Sequence, residues 1–214
     1  MPLFDLVAFD LYGTLLDVSG LTRLMQPIVG DGAAALLGRW RKAQLERSWT
    51  LNRDGRYEPW DRVTLNALGE VAPDLPVKVR ERIAALWLIM PAFPDAAPTL
   101  AVLKAAGVRR VVLSNGTRAM ATRVLEMAAI GVDRILSTDE VRVYKTDPRV
   151  YALLDTLAGR AHTLFVSSNG WDADGARRER RNVAWIDRGG DPPLNPPNYR
   201  IASLSELVPL LAHR

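Results

Sequence analysis

The sequence predicts an α/β protein: a doubly wound, mostly parallel sheet whose first strand is separated from the others by an all-helical insertion. Three observations predict it. A continuous apolar run, Leu6-Val7-Ala8-Phe9, lies near the start and suits a parallel strand covered on both faces. From Val18 to about Ala92 the pattern reads as helix only. From Phe93 onward strand and helix alternate, which winds strands into one parallel sheet through right-handed crossovers. The opening strand therefore belongs with the C-terminal part, giving a core of residues 1–16 and 93–214 and a helical insertion of residues 17–92 over the carboxyl edge of the sheet.

The elements follow in order. Gly-Asp, Asp-Gly and Ala-Pro-Asp breaks divide the insertion into helices over residues 21–29, 32–52, 59–71 and 76–90. In the second part, strands over 110–114, 135–137, 163–168 and 183–187 alternate with helices over 96–106, 118–130 and 149–157, and a helix over 204–212 follows. Residues 189–197 are rich in Gly and Pro and read as an irregular loop.

Composition narrows the chemistry. With 48% apolar and 24% charged residues the 214-residue chain has the make-up of a folded soluble domain. The absence of cysteine removes disulfides, thiolate nucleophiles and Cys-based metal sites. Two histidines, His162 and His213, argue against a His-based triad or a His-rich zinc centre. The net charge of +4 is small for this length, and its local concentration, Arg177, Arg178, Arg180 and Arg181 around Glu179, reads as a solvated helix face. No aromatic residues are interleaved there as single-strand nucleic-acid binders require. The longest apolar stretch, residues 83–93, is too short to span a bilayer and contains Pro91. Asp5 and Asp10 interrupt the first apolar segment and no basic leader precedes it, which argues against a secretion signal. The expectation is a cytoplasmic enzyme with no nucleic-acid or membrane partner.

In open α/β sheets ligands gather beyond the carboxyl ends of the strands. That edge receives Asp10, Ser114-Asn115-Gly116, the Lys145 segment, and Ser167-Ser168-Asn169 followed by Trp171-Asp172. Asp10 reads either as an acidic turn former or as a carboxylate nucleophile, which would form an ester and split one hard substitution into two easier steps. Attack requires the ionised form, which burial opposes and a neighbouring lysine restores. Lys145 could be that lysine or an ordinary surface residue; Asp172 could activate water or cap a helix.

The stretches FDLYGT, LSNGT, VYKTDPRVY and FVSSNGWDA together resemble the four motifs of the haloacid dehalogenase (HAD) superfamily, specifically its L-2-haloacid dehalogenases. The resemblance covers essentially the whole chain, including the insertion, which resembles the family's cap domain. It implies a Rossmann-like, HAD-like core and hydrolysis of short-chain (S)-2-haloacids to (R)-2-hydroxyacids through an aspartyl ester. It implies no metal and no cofactor, with a small 2-haloacid and halide as partners; relatives are commonly dimers, so a homodimer is compatible with it. The family's phosphatases carry a second acid two positions after the nucleophile to protonate an alkoxide; here Tyr12 stands there, and a halide leaves without a proton. Ser167 and Ser168 stand where an acid is expected, leaving few hard oxygen anions for magnesium.

The resemblance also implies roles. Asp10 resembles the attacking carboxylate and Thr14 a residue that orients it. Arg41 shares a helical stripe with Leu37, Leu45 and Ser48, and falls on the position that receives the departing halide. Ser114, with backbone amides of Leu11 and Asn115, resembles the binder of the substrate carboxylate. Lys145, supported by Tyr151, resembles the group that keeps Asp10 ionised; Ser167, Asn169 and Asp172 resemble those that position Lys145 and the hydrolytic water. Tyr12, Leu45, Trp60 and Trp171 resemble the apolar lining, with core packing an equal reading for Leu45 and the tryptophans. Departures are Thr146 for a proline, Lys42 for a glutamine, Trp60 for a phenylalanine, and the Arg-rich run after Asp172. Alternatives to dehalogenation are opening of a protonated azetidine carboxylate, whose ammonium Arg41 would repel, phosphatase activity, and binding without catalysis.

Overall fold

A computed structural model describes residues 3–212. The apolar run near the start forms β1 (Leu6–Phe9), wholly buried between β2 (Arg109–Ser114) and β4 (Thr163–Ser167). With β3 (Arg134–Ser137), β5 (Asn182–Ile186) and β6 (Tyr199–Ile201) they make a six-stranded sheet in the order β3-β2-β1-β4-β5-β6, and every pairing is parallel. Register sets what emerges at the carboxyl edge. Phe9 lies opposite Val112 and Val166, so Asp10 and Ser167 leave the sheet at one level, with Ser114 one residue further along β2.

Strand alternation separates two cores. Val7, Phe9, Val112 and Val166 face α5 (Ala96–Ala105) and α6 (Arg118–Met127), while Leu6, Ala8, Val111 and Phe165 face α7 (Pro148–Ala152) and α8 (Gly170–Arg178). The chain closes on α9 (Leu207–Ala212).

Between β1 and β2 the insertion holds α1 (Leu21–Val29), α2 (Ala33–Arg53), α3 (Trp60–Val71) and α4 (Val77–Ala84). Its interior rests on the buried Trp40, Trp60 and Trp87. Trp40 Nε1 donates to the Thr64 carbonyl (2.8 Å) and Gln44 Nε2 to Thr64 Oγ1 (2.9 Å), which locks α2 on α3. The chain enters and leaves the insertion side by side: Asp17 N–H donates to Pro91 O (2.8 Å) and Phe93 N–H to Leu15 O (2.9 Å). Contacts of Asn52, Tyr57 and Glu58 with Tyr144 and Asp139 place the insertion over the loops beyond β3, at the carboxyl edge.

The structure corrects several expectations. The helices expected over 76–90 and 149–157 end at Ala84 and Ala152 and tighten into 3₁₀ turns, and the helix expected over 118–130 ends at Met127, before Ala129 enters the left-handed region. In the last expected helix, 204–206 is a 3₁₀ turn closed by a Ser203–Glu206 capping box. β6, three residues at the sheet edge, lacked a sequence signal, and α8, with two glycines and little apolar periodicity, was signalled only by the Arg-rich run and by Asp172 as a possible cap. The Arg-rich run is not a uniformly solvated face. Arg181 is 1% exposed and donates to Asp155 Oδ1 (2.7 Å) and to the Tyr151 carbonyl (2.7 Å). His162 sits before β4, at the opposite edge from Asp10, 3.6 Å from Asp5; His213 lies outside the described residues. Among the described residues no helix is long and apolar enough to cross a membrane.

Because Trp40 is buried and hydrogen-bonded within the insertion, Trp40→Ala is expected to destabilise the protein by about 3–5 kcal/mol, measured by urea denaturation.

Candidate active site

Asp10 continues β1 by one residue, its N–H donating to Val166 O (2.9 Å), and its side chain is 8% exposed. The turn after it needs Gly13, whose φ of 93° belongs to the left-handed region. That turn brings Thr14 back to Asp10: Thr14 Oγ1 donates to Asp10 Oδ2 (3.0 Å) and accepts from the Ser168 N–H (2.9 Å). Asn169 Nδ2 donates to the same Oδ2 (2.8 Å). Lys145 Nζ donates to Asp10 Oδ1 (2.9 Å) and to Asp172 Oδ2 (2.8 Å), so one buried ammonium bridges two carboxylates. Asp172 is completed by Ser167 Oγ (3.0 Å) and Tyr151 OH (2.7 Å).

Charge explains the arrangement. Burial alone would lower the Lys145 pKa, but Asp10 and Asp172 outweigh it and raise the value, so the ammonium persists. Burial raises Asp172 above the ordinary carboxylate range, and Lys145 opposes that rise. Burial also pushes the Tyr151 phenol well up, so it remains an O–H donor to Asp172.

Next to this network, joined to it through Asn169, lies a cleft of about 500 Å³ lined by Tyr12, Arg41, Leu45, Trp49, Asn169 and Trp171; Asp10 itself is not on its lining. Arg41 has no ion pair or hydrogen bond among the described residues; its guanidinium stands 5.7 Å over the Trp87 ring. Burial lowers its pKa while Asp10, Tyr12 and Asp172 pull it back up, and an arginine so placed keeps its charge. Beside the cleft, Ser114 Oγ accepts from the Gly116 N–H (2.9 Å), and the buried Tyr12 hydroxyl has no hydrogen-bond partner among the described residues. A Cβ on Gly116 would come within 2.9 Å of the Tyr12 ring, so only glycine admits that ring. The N–H groups of Leu11 and Asn115 donate to no acceptor among the described residues, although both residues are buried.

The structure joins Asp10, Thr14, Lys145, Tyr151, Ser167, Asn169 and Asp172 in one hydrogen-bonded network, with Leu11, Ser114 and Asn115 at adjoining strand ends. Lys145 is buried, not a surface lysine, and Asp172 is not a cap: Asn169 takes the cap position and Asp172 the first turn of α8. Asn115 uses its side chain on the Lys145 N–H (3.0 Å). Trp60 is not on the cleft lining. It is 1% exposed and packs on Tyr144 at 5.8 Å, because the inward stripe of α3 turns it into the insertion's core. On α2 the buried stripe runs through Leu37, Trp40, Gln44 and Ser48; Arg41 and Leu45 flank it, half-buried. Lys42 is exposed beside Glu46, off the cleft, and Thr146 follows a cis peptide bond.

Sequence reasoning missed Trp49, which meets Trp171 edge-on at 6.1 Å, and Arg188, which pairs with Asp95 (2.7 Å) and covers the Phe93 ring (3.9 Å). Trp49 was discoverable as the next four-residue step after Arg41 and Leu45. Arg188 had no local signal.

The donors do not suit Mg²⁺. The two carboxylates already share an ammonium, their other partners are neutral, and among the described residues no group of three or more His, Cys, Asp or Glu side chains could hold a metal ion. Removing the ammonium leaves two buried carboxylates without a cation, so Lys145→Met is expected to cost about 3–5 kcal/mol at pH 7. Lys145's folded pKa is raised, so the difference from wild type should be full below pH 10.5, the ordinary lysine value, and shrink as pH rises further; denaturation from pH 7 to 11 checks it.

Comparison with known proteins agrees with this geometry. The family model of haloacid dehalogenase-like hydrolases matches residues 4–179. The (S)-2-haloacid dehalogenase 4A of Burkholderia cepacia is 38% identical over 95% of this chain and 93% of its own length. The (S)-2-haloacid dehalogenase 1 of Pseudomonas sp. (strain CBS-3) is 37% identical over 95% and 94%. A solved structure of the L-2-haloacid dehalogenase from Xanthobacter autotrophicus with chloropropionic acid covalently bound superposes with a TM-score of 0.89 at 29% identity, covering 97% of this chain and 98% of that one. A family match over most of the chain, relatives above 30% identity along nearly its whole length and the same parallel sheet together mean that the chain belongs to the haloacid dehalogenase-like hydrolases.

Proposed function

We propose that the protein hydrolyses short-chain (S)-2-haloacids to (R)-2-hydroxyacids through an ester on Asp10, without a metal ion. The observation that carries this reading is a carboxylate held by Lys145, Thr14 and Asn169, of which Asn169 also lines a cleft holding Arg41, a guanidinium unpaired among the described residues. In this reading residues 1–16 and 93–214 are the core and residues 17–92 the cap that brings Arg41.

The substrate carboxylate takes the free N–H groups of Leu11 and Asn115 and the Ser114 hydroxyl. An Asp10 oxygen attacks C2 from the side opposite the halogen. The C–O bond forms as the carbon–halogen bond breaks, the carbon inverts, and the halide leaves with the bonding pair toward Arg41. Water then attacks the acyl carbon of the ester. Asp172, whose pKa burial has raised, takes a proton from the water and passes it to the 2-oxygen as the acyl–oxygen bond breaks, freeing the hydroxyacid; the second water proton leaves to solvent, which restores the Asp10 carboxylate without a second inversion. Tyr12, Leu45 and Trp171 shape the space for the 2-substituent.

Two features of related proteins support the reading: several curated relatives are named (S)-2-haloacid dehalogenases, and one solved relative carries chloropropionic acid covalently. A phosphatase is disfavoured because the residue two after the nucleophile is Tyr12, whose phenol burial makes a weaker acid still.

The test is halide release from (S)-2-chloropropionate in excess EDTA, with (R)-lactate as the product. Asp10→Asn should abolish turnover, and Arg41→Met should lower kcat by about 10²–10³-fold. One turnover in ¹⁸O water should leave label in the Asp10 carboxylate. Wild-type turnover by Asp10→Asn, or halide release only with added Mg²⁺, would sink the reading.

A further inference from the structure

We propose that Asn52, near the end of α2, is a positioning residue for Lys145, so that the helix carrying Arg41 also sets the ammonium beneath Asp10. The proposal rests on the role given to Lys145 above.

The geometry is a two-point clamp. Asn52 Nδ2 donates to the Tyr144 carbonyl (2.9 Å) and Tyr144 N–H donates to Asn52 Oδ1 (2.9 Å), a side chain matching both backbone groups of a residue 92 positions away. The next N–H in the chain, that of Lys145, donates to Asn115 Oδ1 (3.0 Å). Two consecutive amides are thus held from opposite sides, one by the insertion and one by the core. The Tyr144 side chain is seated by the same insertion: its ring stacks on Tyr57 at 5.1 Å, and its hydroxyl donates to Glu58 O (2.5 Å) and accepts from Glu58 N–H (3.0 Å).

The consequence follows from reach. Lys145 Nζ must meet two separate carboxylates, at 2.9 and 2.8 Å, from a loop backbone held to the insertion by Asn52, to the core by Asn115, and locally by the Asp147 N–H on the Tyr144 carbonyl (3.0 Å). Misplacement by about 1 Å breaks such an arrangement, and errors of that size can cost 10²-fold in rate. Losing Asn52 also strands the N–H of the buried Tyr144, whose carbonyl keeps only the Asp147 N–H (3.0 Å), which drives the loop to move in search of another acceptor.

A loss of positioning is separable from a loss of stability by pH. Lys145 Nζ faces Asp10 from the end of β1 and Asp172 from α8; Tyr151 of α7 reaches it through Asp172, while Tyr12 and Arg41 act from the Asp10 side. The two carboxylates raise its pKa against burial, so moving it away lowers that pKa.

The experiment measures kcat and KM for (S)-2-chloropropionate from pH 6 to 11 in wild type, Asn52→Ala and Asn52→Ser. Asn52→Ala is expected to lose about 10–100-fold in kcat with KM nearly unchanged. Its alkaline limb should move to lower pH than the wild type's. Asn52→Ser, milder to the fold, should shift the same way by less. Tyr57→Phe is the control: it removes another contact of the insertion with the core, to Asp139, and should leave the limb in place. An unmoved limb in both Asn52 variants, or an equal shift in Tyr57→Phe at matched thermal stability, overturns the proposal. Lys145→Ala separates the two readings. If it is inactive while the Asn52 variants behave as wild type, only this inference fails; if it keeps full activity, the reading of the site fails.

Discussion

Two carboxylates less than one lysine side chain apart cannot both stay ionised in a buried site unless a cation lies between them. Lys145 is that cation, 2.9 Å from Asp10 and 2.8 Å from Asp172, and 1% exposed. Desolvation opposes charge on Lys145 and Asp172, and the two carboxylates around the ammonium outweigh it at Lys145, whose pKa rises against burial. The surrounding donors divide the remaining work. Thr14 and Asn169 occupy the second oxygen of Asp10, and Ser167 and Tyr151 complete Asp172. The ordinary structure of the molecule can be understood as what is needed to bring these side chains to one ammonium.

The parallel sheet does most of that. Because β1 pairs in register with β2 and β4, Asp10 and Ser167 stand level and Ser114 one residue beyond them, so three strand ends each bring a buried polar residue to the same edge. Lys145 is the exception. It comes from a loop, not from a strand end, and is held by Asn115 on one side and by Tyr144's contacts with the insertion on the other. A second buried cation, Arg181, supports the network from behind by holding the carbonyl of Tyr151.

Legibility in the sequence followed the range of the interactions. β1, β2, β4 and β5 announce themselves as apolar runs because both faces are covered, and the helices of the insertion as 3.6-residue periodicity between Gly and Pro breaks. β6 is three residues at a sheet edge, where one neighbour suffices and no apolar run is required. α8 forms on a sequence poor in apolar residues because its glycines permit close packing: a Cβ on Gly175 would come within 2.4 Å of the Tyr151 hydroxyl. In the site, residues at strand ends were legible from local pattern joined to family motifs. Asn52, Arg181 and Arg188 were not, since each acts on a backbone or side chain distant in sequence. Trp60 was misplaced for a related reason: helical spacing says that a residue faces inward, not whether inward means cavity or core.

The charge balance of the site accounts for its economy under the proposed chemistry. Asp10, Asp172, Lys145 and Arg41 together carry no net charge before reaction. When Asp10 becomes an ester its negative charge departs with the halide, which comes to rest near Arg41, so the four groups and the halide still sum to zero. No proton has to move, and no acid is needed where Tyr12 stands. Lys145 then faces Asp172 alone, without the repulsion that Asp10 had exerted on it, and this keeps Asp172 ionised to receive the proton of the attacking water. The substrate carboxylate is the one charge outside this balance, and the groups assigned to it, two backbone N–H groups and a serine hydroxyl, are neutral. A third cation there would pair with Asp10 and compete with the attack; neutral donors bind the carboxylate without doing so.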